Sequence, residues 1–173
     1  ESVVDCALYG GVRAGQLEHI EELVKAGVAA FKVFLSDAGD YGSFDDASLL
    51  TLLQASHRYH CLVAAHAESQ PICAMETKRM TDAQEGAEGN SSSRPVISEI
   101  LAVTRLCTLA LHEHARVSIC HISSRQVAGV IQEFRQKGLQ VYAETCPHYL
   151  LLNSDDVARH GAWAKCAPPI RSQ

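Results

Sequence analysis

The sequence has no CxxC pair, no GxGxxG or GxxxxGK run and no cluster of basic residues. Each absence removes a class of function. Seven cysteines (6, 61, 73, 107, 120, 146 and 166) form an odd, widely spaced set in mostly apolar surroundings. They read as reduced, semi-buried thiols and not as a disulfide framework or a structural zinc knot. Gly10 and Gly11 belong to no phosphate-binding signature, so nucleotide cofactors lose their main support. Fifteen Lys and Arg residues are scattered through a chain of net charge −5. That offers a phosphate backbone no positive field, and no nucleic-acid partner is expected. No apolar run approaches the roughly 18 residues of a membrane span. The stretch "ESVVDCALYGG" lacks the basic start and apolar middle of a signal peptide, so a cytoplasmic protein without a membrane partner is the expectation.

What is present suits a packed domain: 173 residues, 47% hydrophobic and 20% charged, one core being the default. Short apolar segments alternate with longer ones of helical character: "SVVDCAL" then 16–26, "VAAFKVFL" then 45–59, "CLVAAHAE" then 70–82, "RVSICHI" then 124–136, and finally "LQVYAE". Strands separated by helices are what a parallel sheet requires, because each crossover must travel back along the sheet. The rhythm breaks once, at "TDAQEGAEGNSSSR" (81–94), which has no apolar period and reads as a mobile loop. An extra helix follows it, with Pro95 in the first turn, Glu99 exposed, and Ile97, Ile100, Leu101, Leu106 and Leu109 lining one buried face. Five parallel strands fit an open doubly wound α/β sheet or an arc of a (β/α)8 TIM barrel. A closed barrel takes about 250 residues and eight strands, so a barrel here would be partial. Both ends of the chain read as cut and not finished.

Ligands of parallel α/β folds bind at the C-terminal ends of the strands. The polar residues expected there are Lys32, His66 with Glu68, His121, and Glu144. Lys32 lies among apolar neighbours in "AAFKVFL". A buried, unpaired ammonium tends to go neutral, and a neutral amine can form a Schiff base or take up carbon dioxide as a carbamate. Alternatively its head pairs with Glu68 or Glu144. His66 in "VAAHAE" and His121 in "CHISS" each end an apolar strand. Either could be a satisfied core histidine, a base or a metal ligand. Two of them beside a buried lysine tilt the reading toward ligands of zinc, iron, nickel or cobalt. His148 in "ETCPHYL" could serve as a base, bind substrate or buttress a rigid loop. Cys146 lacks an activating arrangement, which sets cysteine catalysis aside. Arg94 and Arg171 are the arginines expected at the mouth, as structural or anion-binding groups.

Taken in order, "GVAAFKVFL", "HAE", "SSRPVISE", "CHISS", "AETCPHYL" and "AKCAPPIR" resemble the cyclic amidohydrolases of the amidohydrolase superfamily: allantoinase, hydantoinase or dihydropyrimidinase, and dihydroorotase. The resemblance implies a TIM barrel with two divalent metal ions, zinc being the expected metal. It implies that Lys32 is carboxylated by carbon dioxide and bridges both ions, and that His66 and His121 bind the more exposed one. His148 corresponds to a non-ligand histidine of the following loop. In such enzymes a metal-bridging hydroxide attacks the ring amide carbonyl and the ring C–N bond opens. The family's His-x-His pair of the first strand and its aspartate of the eighth are not found here. Residues 1–173 then correspond to strands three to seven, a fragment expected to be inactive alone.

Hydantoinases place a tyrosine five residues after the lysine, where this chain has Asp37. "FLSDAGDYG" looks more like the allantoinase version, which makes allantoin the best substrate expectation. Tyr41 could take the tyrosine's part, which keeps hydantoinase or dihydropyrimidinase open, with dihydroorotase as a further alternative. A non-catalytic, dihydropyrimidinase-like scaffold is the alternative from another class, and so is a complete open-sheet binding domain. The expected partners are a small cyclic amide or ureide and copies of the chain itself, as a dimer or tetramer.

Overall fold

A computed structural model describes residues 3–84 and 89–172. Strands β1 (Tyr9–Gly11), β2 (Ala30–Phe34), β3 (Leu62–His66), β4 (Val117–Ile119) and β5 (Val141–Ala143) form one sheet in the order β1-β2-β3-β4-β5, every pair parallel. Helix α1 (Ile20–Lys25) joins β1 to β2, and α2 (Asp46–Tyr59) joins β2 to β3. The next crossover holds α3 (Gln70–Asp82), α4 (Gly89–Ser93) and α5 (Val96–His112), while α6 (Arg125–Gln136) leads into β5. Helices α7 (Pro147–Leu151) and α8 (Ser154–His160) follow. Spatial order equal to chain order means that every crossover advances the same way. A doubly wound sheet reverses at a switch point, and this sheet does not, so the architecture is a partial (β/α)8 barrel.

Alternation along the strands sorts the side chains. In β2, Phe31 and Val33 are fully buried against the helices, whereas Lys32 and Phe34 face the concave side and are half-buried. Register carries that side across the sheet: Gly11 and Ala64 flank Lys32, Phe34 stands opposite His66, and Ser118 links Ala64 to Tyr142. The helical layer is held by stripes such as Leu49, Leu52, Leu53 and Ser56 of α2. Asp45 opens that helix by accepting from Ser48 N, and Ser124 opens α6 by accepting from Val127 N.

The structure departs from the expectations in four places. "SVVDCAL" is not the first strand: Val3, Val4 and Leu8 are 99, 70 and 75% exposed, and pairing begins at Tyr9. The chain can approach its neighbour where side chains are absent, since a Cβ on Gly10 would lie 3.1–3.2 Å from Val28 and Leu23. The expected loop 81–94 contains α4, although residues 85–88 lie outside the described part. Glu99 is not exposed but 1% accessible, while Ile97 and Leu101 are about half exposed. The buried face of α5 is instead Ser98, Glu99, Ala102, Val103, Leu106, Cys107 and Ala110, small enough in part for close packing. Finally, Ser91–His112 has the length and composition of a membrane span. It nevertheless packs through α5 against α2, α3, α6 and β4 as a core helix, with a hydrogen-bonded carboxylate on its inner side.

Candidate active site

Lys32 lies in the middle of β2, not at its end, and its ammonium meets no carboxylate among the described residues. Nζ donates instead to Cys120 Sγ at 3.2 Å and sits 4.9 Å from the centre of the Phe34 ring. Of the two partners the sequence allowed, Glu68 is engaged elsewhere, and Glu144 interacts with the Cys120 thiol instead. Burial pushes that thiol up, outweighing the nearby Lys32. An amine held by a neutral thiol in an apolar wall is poorly solvated and weakly paired.

His66 ends β3. Its Nε2 lies 2.7 Å from Glu68 Oε2, and Glu68, with no exposed surface, also receives the Arg94 guanidinium. Burial pushes the Glu68 carboxyl up, but the bond to His66 and the Arg94 charge together hold it below the ordinary carboxylate value. The ionised carboxylate makes His66 Nε2 the protonated nitrogen, which leaves the lone pair of Nδ1 pointing away from Glu68. That nitrogen faces His121 Nε2 at 3.2 Å.

His121 reaches this position by breaking a rule. Continued alternation after Ile119 and Cys120 would send residue 121 to the helical side with Ile119. A positive φ of 43° turns it back to meet His66. A left-handed backbone costs a non-glycine residue about 1–2 kcal/mol, and a buried clamp offsets it. Ser123 donates from both N and Oγ to the Glu99 carboxylate, Arg171 donates to Ser123 Oγ and Glu99 Oε2, and a second arm of Arg171 reaches the Arg94 carbonyl. Burial holds the Glu99 carboxyl above its usual value despite these bonds. Desolvation, then His66 and Lys32, push His121 down to about 4, so its ring is neutral near pH 7.

The two imidazoles fit a metal ion. A tetrahedral zinc with nitrogen bonds of about 2.05 Å places two ligand nitrogens about 3.3 Å apart, and these stand at 3.2 Å. With His66 Nε2–H committed to Glu68, at least one polar atom of the pair has no match, and His121 Nδ1 is buried without a hydrogen-bond partner. A cation on the two facing lone pairs would replace the hydrogen bond between them and put the His121 proton on Nδ1. The donor set is only part of a site, because no group of three or more His, Cys, Asp or Glu side chains among the described residues is arranged to hold a metal.

The other expected residues scatter. Arg94 and Arg171 are both engaged with buried carboxylates and carbonyls, and Arg171 also lines a cavity of about 1000 Å3 beside the ends of β4 and β5. His148, in α7, packs on Tyr149 with ring centres 4.2 Å apart and touches neither Lys32 nor the imidazole pair; its Nε2 is buried without a partner. Glu144 stands just after β5, exposed. Tyr41 lies 5.4 Å from Phe34, whose ring is 5.7 Å from His66. Reasoning from sequence missed the Glu99 and Arg171 clamp, although Glu99 is the one acid in a largely apolar α5, which is a usable signal.

No family model matches the chain. It is 40% identical over 175 residues to the allantoinase of Solibacter usitatus, covering 99% of this chain and 38% of that protein. Against the allantoinase of Rubrobacter xylanophilus the identity is 38% over 171 residues, 97% of this chain and 38% of the relative. Among solved structures, the L-hydantoinase (dihydropyrimidinase) from Arthrobacter aurescens superposes with a TM-score of 0.92 at 30% identity, covering 98% of this chain and 38% of that one. The chain thus spans about two fifths of the length of the proteins it matches. Sequence and fold together place these residues in the hydantoinase and allantoinase superfamily of amidohydrolases, as a partial match to its barrel.

Proposed function

We propose that the full-length protein carrying this chain is a metal-dependent amidohydrolase that opens a cyclic amide ring, with residues 1–173 supplying strands three to seven of its barrel. The observation that carries the reading is the approach of His66 Nδ1 to His121 Nε2 at 3.2 Å, backed by Glu68 on the far nitrogen of His66. His66 and His121 would hold one divalent ion, zinc being the expected metal. The Lys32 amine, once its nitrogen has bonded to carbon dioxide and released a proton, would present a carbamate to two such ions. When bound, these ions supply Lewis acidity at the ring carbonyl and lower the pKa of the attacking water.

The chain's own residues prepare that chemistry. Glu68 accepts the Nε2 proton of His66 and so keeps Nδ1 available, while Arg94 neutralises the buried carboxylate. Glu99 and Arg171 fix the Ser123 turn and thereby the turned-back His121. Phe34 covers Lys32 and His66 on the concave side and limits water there. His148 is assigned to substrate, and Glu144 to the support of Lys32 through Cys120. A homo-oligomer is retained on the family resemblance alone.

Allantoin is a hydantoin ring bearing a ureido group, so the two names carried by the relatives describe cleavage of the same type of ring amide. The hydantoinase or dihydropyrimidinase reading is supported by the barrel's superposition and by Tyr41 beside Phe34 on the loop after Lys32. The allantoin reading is supported by the curated relatives and by Asp37, which accepts from Gly39 N and shapes a turn where hydantoinases have a tyrosine. Metal content and ring opening, measured together on the full-length protein with allantoin, a 5-substituted hydantoin and dihydrouracil, test the proposal. Two divalent ions per chain and turnover of one of these rings, both lost in Lys32→Ala, are expected. Turnover by a metal-free protein, or a metal-loaded protein that opens none of the three, overturns it.

A further inference from the structure

Arg13 is an arginine at the strands' C-terminal end with no assigned task. It follows β1 by two residues. Gly11 stands opposite Lys32, Val12 N donates to Lys32 O at 2.9 Å, and the Val12 side chain is buried in the helical layer. Alternation therefore returns residue 13 to the concave side that carries Lys32. Two residues advance about 6.6 Å along a strand and neighbouring strands lie about 4.8 Å apart. The Arg13 backbone is thus about 8 Å from that of Lys32, within reach of a group hanging from a ring bound over Lys32.

Arg13 is exposed, rests against an aromatic ring and is not neutralised. Its guanidinium carbon lies 5.5 Å from the centre of the Tyr41 ring, and the chain of contacts runs on through Phe34 to Lys32 and His66. Tyr41 can lie across the end of β1 only because residue 11 is glycine: a Cβ there would come within 2.9 Å of Tyr41 Cε1. Among the described residues Arg13 has no ion pair and its side chain meets no hydrogen-bond acceptor, in contrast to Arg94 and Arg171. A stacked guanidinium with an open fork is preorganised for a planar oxygen acceptor.

We propose that Arg13, positioned by Tyr41, is a specificity residue that selects ring substrates carrying a planar oxygen-acceptor group outside the ring, a ureido carbonyl or a carboxylate. The inference rests on the ring-opening reading of the same site. It is tested in the metal-loaded, full-length protein by comparing allantoin, hydantoin-5-acetic acid, unsubstituted hydantoin and 5-isopropylhydantoin in wild type, Arg13→Ala and Arg13→Lys. The ratio of kcat/KM for the two acceptor-bearing rings to that for the other two should fall at least about tenfold in Arg13→Ala, through KM, with Arg13→Lys restoring part for the carboxylate and little for the ureido group. A fall confined to one of the two acceptor-bearing rings would identify which acceptor the fork takes. Ratios unchanged within about twofold in both variants overturn the inference and leave ring opening intact. If the wild type opens no ring, calorimetric titration with hydantoin-5-acetic acid decides: weaker binding in Arg13→Ala sustains the anion-selecting role although the functional reading has failed, and equal or absent binding overturns it.

Discussion

The two ends of this sheet each gather histidines, and they put them to opposite uses. At the N-terminal end of the strands, His57, His60 and His114 are exposed around a shallow cavity of about 270 Å3, with ring centres 6.3–6.5 Å apart about His57. His57 lies in the last turn of α2, and His60 and His114 just follow α2 and α5, where a cationic side chain complements the helix dipole. His57 Nδ1 meets the His114 carbonyl, and Arg116 donates to that of His60. At the C-terminal end, His66 is 6% exposed, its far nitrogen is tied to a carboxylate with no exposed surface, and its near nitrogen faces a second ring. Residue type and clustering are shared. What distinguishes the candidate site is burial, a carboxylate behind the ring, and an unmatched buried nitrogen.

The comparison breaks most sharply at Glu68. Glu68→Ala leaves Arg94 without its buried partner and His66 without an acceptor, and should cost about 3–5 kcal/mol in denaturant unfolding. His57→Ala, at the other end, should stay within about 0.5 kcal/mol. Equal losses would mean that the two clusters are constrained alike. Glu68→Gln preserves volume and should instead lower zinc affinity about 10–100-fold in chelator competition on the full-length protein, where His57→Ala should leave it unmoved.

Next comes the clamp. Glu99→Gln keeps one acceptor for Ser123 but gives up the charge that Arg171 meets, and a loss of about 1–3 kcal/mol is expected. Its pH dependence gives a sharper readout. Burial raises the Glu99 carboxyl above 4.5 in the folded chain, so above that pH the folded state retains a proton that the unfolded chain has released. The contribution of Glu99 is therefore complete at low pH and fades as pH rises through its folded value. Unfolding free energies measured across this range should show a downward slope in the wild type that is absent in Glu99→Gln. Identical slopes would mean that Arg171 and Ser123 compensate the burial fully.

Much of this was legible in the sequence, for reasons that also explain what was not. Strands β2 and β3 are buried on one face and at least half-buried on the other and read as continuous apolar runs, so Lys32 and His66 stand out as polar intruders. The first strand was misplaced because apolar composition is local, whereas pairing requires the close approach that Gly10 permits. Glu99 looked like a solvent-facing acid because its partners Ser123 and Arg171 lie 24 and 72 residues away. The direction of His121 was hidden for a different reason. Period-two alternation assigns it to the helical side, and a single positive φ reverses the assignment.

That dihedral supplies the smallest test. His60 and His114 at φ 53° and His121 at φ 43° share a backbone conformation that glycine adopts without steric cost. His60 caps α2 in that conformation, a position glycine commonly occupies. There His60→Gly removes the Cβ clash at the expense of unfolded-state entropy, and a net gain of about 0.5–1 kcal/mol is expected, with His114→Gly similar. His121→Gly relieves the same clash but removes one of the two facing nitrogens, so it should abolish zinc binding by the full-length protein whatever it does to stability. A wild-type zinc affinity in His121→Gly would show that the turned-back histidine has no part in a metal site. A loss of stability in His60→Gly would show that the histidines at the N-terminal end do more than occupy helix ends, and the contrast between the two ends would narrow accordingly.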